Sequence, residues 1–279
     1  MKILIATGGS SHSEKALRFG VQILQHADET PTVLTVVRRK QDLPQAEAVL
    51  QRARYVLADI PTLVTRARVG RPAEQIIAEA KEGGFDLVIV GERHSHTLKA
   101  RMLGSTSIHV VEHAACPVII AQGDIGPDSG QSRPIQRILL CDSGAQVPSL
   151  LSRFTAQLAD MLQGEEEITV LHVMSQVTAW PGVQDQDLQA SAEELIEEQA
   201  PEGEWLASDL QVLAHPGIHA EAKVRHGGVV EEILAESEEN DYDLVVIGAH
   251  RDAGWQRVLL EDIAREIIKR VERPVLVVR

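Results

Sequence analysis

The chain has 279 residues, which is long enough for two domains of ordinary size. Hydrophobic residues make up 44% and charged residues 24%, which excludes a disordered chain, and the net charge of -14 argues against a nucleic-acid or anionic-membrane partner. No apolar run approaches the roughly 18 residues that span a membrane. Cys116 and Cys141 follow no metal or redox spacing. We therefore expect a cytoplasmic protein with reduced thiols and a small-molecule or protein partner.

Short apolar runs alternate with amphipathic stretches along the first half of the chain. This pattern predicts parallel strands separated by helices, and therefore an α/β fold. The strands are expected at residues 2–7, 32–37, 63–69, 86–90 and 117–121. The first helix is expected to begin within Ser11-His12-Ser13-Glu14, where a hydroxyl and a carboxylate can cap each other's backbone donors.

The second half of the chain repeats the first. Gly91 and Gly248 end matching apolar runs 157 residues apart, and Pro117 and Pro274 keep that spacing. The segments Thr32–Val36 and Thr169–Val173 match at a spacing of only 137 residues, so the second copy carries 20 extra residues. Repetition of this kind predicts two copies of one fold. The predicted parts are a first domain at residues 1–123, a linker at 124–132, and a second domain at 133–279 with an insert at about 175–215.

The insert has two interpretations. It contains the acidic run Glu193-Glu194-Leu195-Ile196-Glu197-Glu198 together with turn-forming prolines. Charge runs usually face water, so we interpret it as a solvated helix inside an extended loop. The alternative is a flap that docks a partner.

Residues suited to an anion follow the fourth strand of the first half. Gly91 is followed by a basic loop that contains Arg93, and the next helix starts at Gly104-Ser105-Thr106-Ser107. Ligands of open parallel sheets bind beyond the carboxyl ends of the strands, where the N-termini of helices present free N–H groups. Glycine lets a phosphate approach the backbone, and hydroxyls add donors. The sequence therefore predicts a phosphate-binding loop here.

Gly91, the basic loop, Gly104-Ser105 and the helix leading into Cys116-Pro117 resemble the universal stress protein family. Members that bind ATP carry Gly-x2-Gly-x9-Gly-Ser/Thr, and His94 replaces the second glycine here. The resemblance covers both halves and implies two repeated, doubly wound, five-stranded parallel-sheet domains like those of the adenine nucleotide alpha hydrolases. It also implies ATP with magnesium as the ligand, an internal pseudo-dimer paired through the last strands, and a homodimer as a further assembly.

The resemblance further implies an adenine contact near Val36 and an aspartate after the first strand, a position that we assign to Gly8. The second half keeps Asp142 and Gly248 but has Glu261-Asp262 at the Gly-Ser position. Two carboxylates at a helix N-terminus would repel a phosphate, so only the first half is expected to bind a nucleotide. The predicted nucleotide-binding residues are Thr7, Gly8, Val36, Gly91, Arg93, Gly104, Ser105, Thr106 and Ser107.

Other functions remain open from the sequence. Our first interpretation is a stress-response sensor or regulator that is not an enzyme, apart from slow ATP hydrolysis at most. The second is a nucleotide-independent protein that binds an unknown protein partner, with both sites vestigial. The third is an enzyme, either a slow ATPase or a zinc hydrolase. The zinc hypothesis rests on His109-Val110-Val111-Glu112-His113, which matches His-x-x-Glu-His, although the second copy has no histidine there.

Overall fold

The computed structural model describes residues 1–92, 105–123, 134–144, 149–162, 164–174, 190–248 and 255–279, with residues 255–262 described by their backbone alone. Strands and helices alternate along these residues, which confirms the α/β class. The chain divides into two compact units. One contains Met1–Pro134, Glu272–Val277 and Arg279, and the other contains Ile135–Val271 and Val278. No described helix is both long and apolar enough to cross a membrane.

The first unit is built on a parallel sheet with helices between its strands. The elements are β1 (Ile3–Ala6), α1 (Ser11–Leu24), β2 (Thr32–Val37), α2 (Leu43–Val56), β3 (Val64–Val69), α3 (Pro72–Gly83), β4 (Leu87–Gly91), α4 (Ser105–His113) and β5 (Val118–Ala121). The strand order is β3-β2-β1-β4-β5. All four pairings between neighbouring strands are parallel.

The second half of the chain repeats this succession of elements. They are β6 (Arg137–Cys141), α5 (Leu150–Leu162), β7 (Glu166–Met174), α6 (Ala192–Glu197), α7 (Pro201–Val212), β8 (Ile218–His226), α8 (Val229–Glu239), β9 (Leu244–Gly248), α9 (Trp255–Arg270) and β10 (Val275–Val278). In the second unit β9, β6, β7 and β8 are neighbours in that order, and their pairings are parallel. Residues 275–277 of β10 belong to the first unit, where they pair antiparallel with β5.

The five strands predicted in the first half are confirmed to within one residue at each end. Every residue of β1 and β5 is buried, and so are the first four residues of β4. Strands covered on both faces read as continuous apolar runs, which is the pattern that these segments show. The outer strand β3 is largely exposed instead and carries the alternating sequence Val64-Thr65-Arg66-Ala67-Arg68-Val69.

The N-cap of the first helix lies one residue earlier than expected. Ser10 is the N-cap, and its hydroxyl accepts a hydrogen bond from the backbone N–H of Ser13 (3.2 Å). The Ser13 hydroxyl in turn accepts one from the backbone N–H of Ser10 (3.0 Å). The expected pairing of a hydroxyl with a carboxylate is therefore wrong, because serine at this position reaches back as glutamate would. Glu14 instead pairs with Arg18 (2.9 Å).

The two helices in the predicted insert each bury one side against the domain. Pro201 is the first residue of α7, and Pro44 lies in the first turn of α2. The two prolines are 157 residues apart, which is the spacing between the copies. The extra residues therefore precede Pro201, and α7 is the counterpart of α2. α6 and α7 bury Leu195 and Leu206, respectively. The four glutamates of the acidic run are exposed, as expected, but two packed helices stand here rather than one helix in an extended loop. Residues 175–189 lie outside the described residues.

Each unit contains the same buried ion-pair cluster. In the first unit, Glu79 of α3 is 1% exposed and pairs with two arginines of β3. In the second, Glu236 of α8 is fully buried and pairs with two cations of β8, each at 2.8 Å. The members are Arg66, Arg68, Glu79 and Glu82 in the first unit and Lys223, Arg225, Glu236 and Glu239 in the second. Corresponding members lie 157 residues apart, so the cluster was duplicated with the fold.

We expect Glu236→Gln to lower the free energy of unfolding by about 2 to 3 kcal/mol at neutral pH, because the cations of β8 lose a buried partner. Burial raises the pKa of Glu236, but hydrogen bonds from Lys223, Arg225 and Tyr242 outweigh it and hold the pKa below its ordinary value of 4.5. The stabilisation is therefore complete above about pH 4.5 and is lost as the pH falls below that value.

Urea unfolding of the wild type and of Glu236→Gln between pH 3 and 8 tests this expectation. The exposed Glu238, on the same helix, provides the control Glu238→Gln. The difference in unfolding free energy between the wild type and Glu236→Gln should disappear as the pH falls. A difference that stayed constant with pH, or one no larger than the difference caused by Glu238→Gln, would contradict the role given to this cluster.

Candidate functional site

The strand order of the first unit creates a crevice at one edge of its sheet. From β1 the chain moves outwards through β2 to β3, and then it returns to β4 on the other side of β1. The helices after β1 and β4 consequently lie on opposite faces of the sheet, an arrangement that is expected to leave a crevice at the carboxyl ends of these two strands. Open α/β sheets bind ligands at such a reversal point. This edge is where the predicted residues Thr7, Gly8 and Gly91 lie.

A short turn after β1 forms one side of the crevice. Thr7 is buried, and its hydroxyl oxygen lies 3.4 Å from the backbone nitrogen of Gly9, which donates to it. Gly9 has a φ of +77°, and a Cβ at this position would lie 2.6 Å from Val49 of α2. Only glycine fits there without strain. Gly8 differs, because a Cβ added to it would meet no atom within 4 Å, so the space over Gly8 is open.

Two helix N-termini meet at Gly91, which forms the other side. A Cβ at Gly91 would overlap the carbonyl oxygen of His12 in the first turn of α1. The hydroxyl of Ser107, in the first turn of α4, donates to the Gly91 carbonyl (2.9 Å). Helix N-termini carry unpaired N–H groups and the positive end of the helix dipole. Two of them at one point favour an anionic ligand.

The remaining predicted residues have different positions around this crevice. Ser105 is exposed and Thr106 half-buried at the start of α4, whereas Ser107 is buried and its proton is donated to Gly91. Val36 is half-buried near the carboxyl end of β2, the strand beside β1. Arg93 and Gly104 lie outside the described residues. Ser107 therefore joins α4 to β4, and Ser105 and Thr106 are the hydroxyls of this helix turn that a ligand could reach.

The strand registers correct one predicted correspondence between the copies. Ala6 pairs with Val90, and Cys141 pairs with Ile247, so Ala6 and Cys141 are equivalent. The next residues, Thr7 and Asp142, are then equivalent as well. Asp142 is therefore the counterpart of Thr7 and not of Gly8, because the β1–β6 spacing is 135 rather than 134 residues. The assignment of the family's aspartate position to Gly8 stays a prediction. Both side chains accept a hydrogen bond from the glycine two residues later, at 2.8 Å for Asp142.

The equivalent place in the second unit is filled by side chains of α7. A Cβ at Gly144 would overlap the ring of Trp205, and that ring also stands edge-on to His172 at 5.9 Å between centroids. Asp209 is 2% exposed and accepts a hydrogen bond from the Ser152 hydroxyl (2.6 Å). Burial, and next the charge of Asp142, raise the pKa of Asp209 to about 7. In the first unit the side chain that lies over Gly9 is the smaller Val49.

The second-unit helix that corresponds to α4 begins earlier than expected. α9 starts at Trp255, so Glu261 and Asp262 lie in its second turn rather than at its N-terminus. The helix dipole acts mainly within the first turn. The two carboxylates therefore do not stand at the helix start, where they were predicted. Trp205 and Asp209 are the described side chains that distinguish this place in the second unit from its counterpart in the first.

The two thiols are poor nucleophiles. Burial raises the pKa of Cys116 to about 11, with smaller opposing and reinforcing effects from its own backbone and from Asp86. Burial also raises the pKa of Cys141, and the charges of Asp142 and Glu236 add to this effect. Both cysteines are free. Because the thiolate is the reactive form, neither is suited to redox chemistry at neutral pH.

The fold defines a two-unit α/β protein with a candidate ligand-binding site at the carboxyl edge of a parallel sheet. The sequence profile described as "Universal stress protein family" matches residues 1–122 and 134–279. The chain therefore belongs to the universal stress protein family and contains two of its domains. This confirms the resemblance drawn from Gly91 and Gly104-Ser105.

Relatives with this family name occur in several bacteria. A Bacillus subtilis universal stress protein is 28% identical over 148 residues, which cover 43% of this chain and 98% of the relative. A Mycobacterium tuberculosis universal stress protein is 26% identical over 196 residues, which cover 69% of this chain and 61% of the relative. A universal stress protein structure from Archaeoglobus fulgidus has a TM-score of 0.67 at 22% identity and covers 100% of this chain and 96% of its own. This likeness shows a shared fold.

Proposed function

We propose that the first domain binds an adenine nucleotide, with ATP as the ligand, and that the protein acts as a sensor or regulator of stress responses. The observation that carries the proposal is the meeting of the α1 and α4 N-termini at Gly91, beside the open space over Gly8. The helix ends suit the phosphates, and the half-buried Val36 supplies apolar surface for the base. The family resemblance assigns the same parts of the fold to the nucleotide.

The second domain is proposed to bind no nucleotide at the equivalent place. Trp205 lies against Gly144, and the carboxyl groups of Asp142 and Asp209 are nearly fully buried there. A nucleotide would have to displace an aromatic ring and bring its phosphates towards two carboxyl groups. Both changes oppose binding, since like charges repel most strongly where water is excluded. One nucleotide per chain follows from this difference.

A thermal-shift titration tests the first part of the proposal. ATP, with and without magnesium, should raise the melting temperature of the wild type, because a ligand that binds only the folded state stabilises it by about 2.7 kcal/mol at one hundred times its Kd. Ser105→Glu should weaken ATP binding at least tenfold, since it places a negative charge at the exposed start of α4. Ala58→Glu adds the same charge at another exposed position and should leave binding unchanged.

A nucleotide-independent protein that binds a protein partner is the second candidate. The observation in its favour is Thr7, which stands where the second unit has Asp142. A neutral hydroxyl accepts a hydrogen bond from a ligand more weakly than a charged carboxylate does. Under this alternative, ATP would cause no thermal shift at any concentration, and Ser105→Glu would be indistinguishable from Ala58→Glu.

A further inference from the structure

Three side chains of types that bind metals lie on one face of α4. His109, Glu112 and His113 each place a ligand atom within 4.8 Å of the others. Residues three and four apart share one face of a helix, so this grouping is fixed by the backbone and does not depend on a loop. The ligand atoms of a four-coordinate zinc ion stand about 3.4 Å apart, given bonds of about 2.1 Å. Small changes of side-chain torsion would close the difference.

The two histidine rings lie side by side, and the backbone orients one of them. Their centroids are 4.1 Å apart and their planes are inclined by 29°. Nδ1 of His113 lies 3.0 Å from the carbonyl oxygen of His109. This contact is a hydrogen bond only if Nδ1 carries the proton and donates it, which leaves the lone pair on Nε2 for a metal. Metal-binding histidines are commonly fixed by a donated hydrogen bond of this kind.

The position on the helix also favours a cation. His113 is the last residue of α4 and is exposed, while His109 and Glu112 are half-buried. The carboxyl end of a helix carries the negative end of the dipole, which attracts positive charge. Arg279 donates to the backbone carbonyl of Glu112 (2.6 Å) and thereby fixes this helix end without using the imidazoles.

The fold itself does not require these histidines. The positions 157 residues later are Glu266, Lys269 and Arg270, on the corresponding helix α9. There Lys269 pairs with Glu266 at 2.7 Å, so an ordinary ion pair replaces the histidine cluster in the second copy. The imidazole pair of the first copy is thus a local feature that the packing of this helix does not demand.

We propose that His109, Glu112 and His113 form a zinc-binding site at the carboxyl end of α4. Two imidazoles and a carboxylate match the ligand preference of zinc, and they leave the fourth position to water. The site lies at the opposite end of α4 from Ser105, about 12 Å along the helix axis. It is independent of the nucleotide crevice, and the proposal includes no hydrolytic step.

Calorimetric titration of the metal-free full-length protein with zinc chloride tests the site. His113→Gln should lose one zinc equivalent, or weaken its binding at least tenfold, and Glu112→Gln should weaken it less. His26→Gln, at an exposed histidine of the same unit, is the matched control and should bind like the wild type. ATP binding by His113→Gln should be unchanged, which separates this proposal from the nucleotide site.

The thermal unfolding of each metal-free variant shows whether it is folded. If His113→Gln were folded and bound as many zinc ions, as tightly, as the wild type, the proposal would be overturned. Wild-type protein that binds no zinc below millimolar concentration would overturn it as well. If His113→Gln did not fold, His109→Asn, which keeps His113, provides the same test with cobalt in place of zinc. The visible absorption of bound cobalt should be lost in this variant, and a spectrum like that of the wild type would overturn the proposal.

Discussion

Gly8→Leu is expected to weaken ATP binding at least about a hundredfold without lowering the stability of the protein. The substitution is tolerated by the fold because a Cβ at Gly8 meets no atom within 4 Å and the φ of Gly8 is not positive. The added side chain would instead occupy the open space over Gly8. In our proposal this space belongs to the ligand, so filling it excludes the ligand.

Equilibrium binding of a fluorescent ATP analogue, together with urea unfolding, provides the two readouts. Gly8→Ala adds only one methyl group and should weaken binding by much less than the leucine variant does. Gly9→Ala provides the opposite control, because a Cβ there would contact Val49 at 2.6 Å and the backbone is left-handed. It should lower stability by about 1 to 3 kcal/mol. Unchanged ATP binding by folded Gly8→Leu would contradict the location of the site.

Asp209→Asn is expected to stabilise the protein at pH 8 by roughly 2 to 4 kcal/mol and to remove much of the pH dependence of the wild type between pH 4 and 7. Folding raises the pKa of Asp209 from 3.8 to about 7, first through burial and next through the charge of Asp142. In this range the folded protein retains a proton that the unfolded chain has released. Stability therefore falls as the pH rises from about 4 to about 7, and then levels off.

Thermal unfolding of the wild type and of Asp209→Asn over pH 4 to 9 measures this effect. Asparagine can still accept a hydrogen bond from Ser152 but carries no charge towards Asp142. Asp59→Asn, at an exposed position, is the control and should leave the profile unchanged. A wild-type profile that rises between pH 4 and 7, with no gain at pH 8 in Asp209→Asn, would contradict the buried carboxyl pair.

The inner strands β1, β4 and β5 of the first half could be predicted because burial on both faces gives them an unbroken apolar run. Leu87-Val88-Ile89-Val90 is the plainest case, since all four residues are buried. The repeat itself could be predicted for the same reason, as these core strands tolerate little except aliphatic residues. Gly91 was recognisable because it ends such a run and because the next helix begins with Ser105.

The burial of α6 could not be read from its composition. Four glutamates surround Leu195 and Ile196, and only the packing of Leu195 shows which side of the helix faces inwards. The role of Asp209 was missed for a similar reason, because a charged residue is ordinarily assigned to the surface. A signal was present in Pro44 and Pro201, whose 157-residue spacing identifies α7 as the counterpart of α2.

The duplicated ion-pair cluster was also missed, although its sequence signal is clear in retrospect. Arg66 and Arg68 recur as Lys223 and Arg225, and Glu79 recurs as Glu236, all at one spacing. Charged residues on an outer strand and a helix are ordinarily assigned to the surface, and only the packing in the structure shows that Glu79 and Glu236 are buried. The spacing of charged residues between copies was therefore more informative than their individual positions.

The number of adenine nucleotides bound per chain, and the unit that binds them, is the most direct measure of the central claim. Native mass spectrometry with ATP, followed by photo-crosslinking with an azido-adenine analogue and peptide mapping, gives both quantities. We expect one nucleotide per chain and crosslinked peptides from the first unit, close to Thr7, Val36 or Gly91. Two nucleotides per chain, none at millimolar ATP, or a crosslink beside Asp142 would contradict the account.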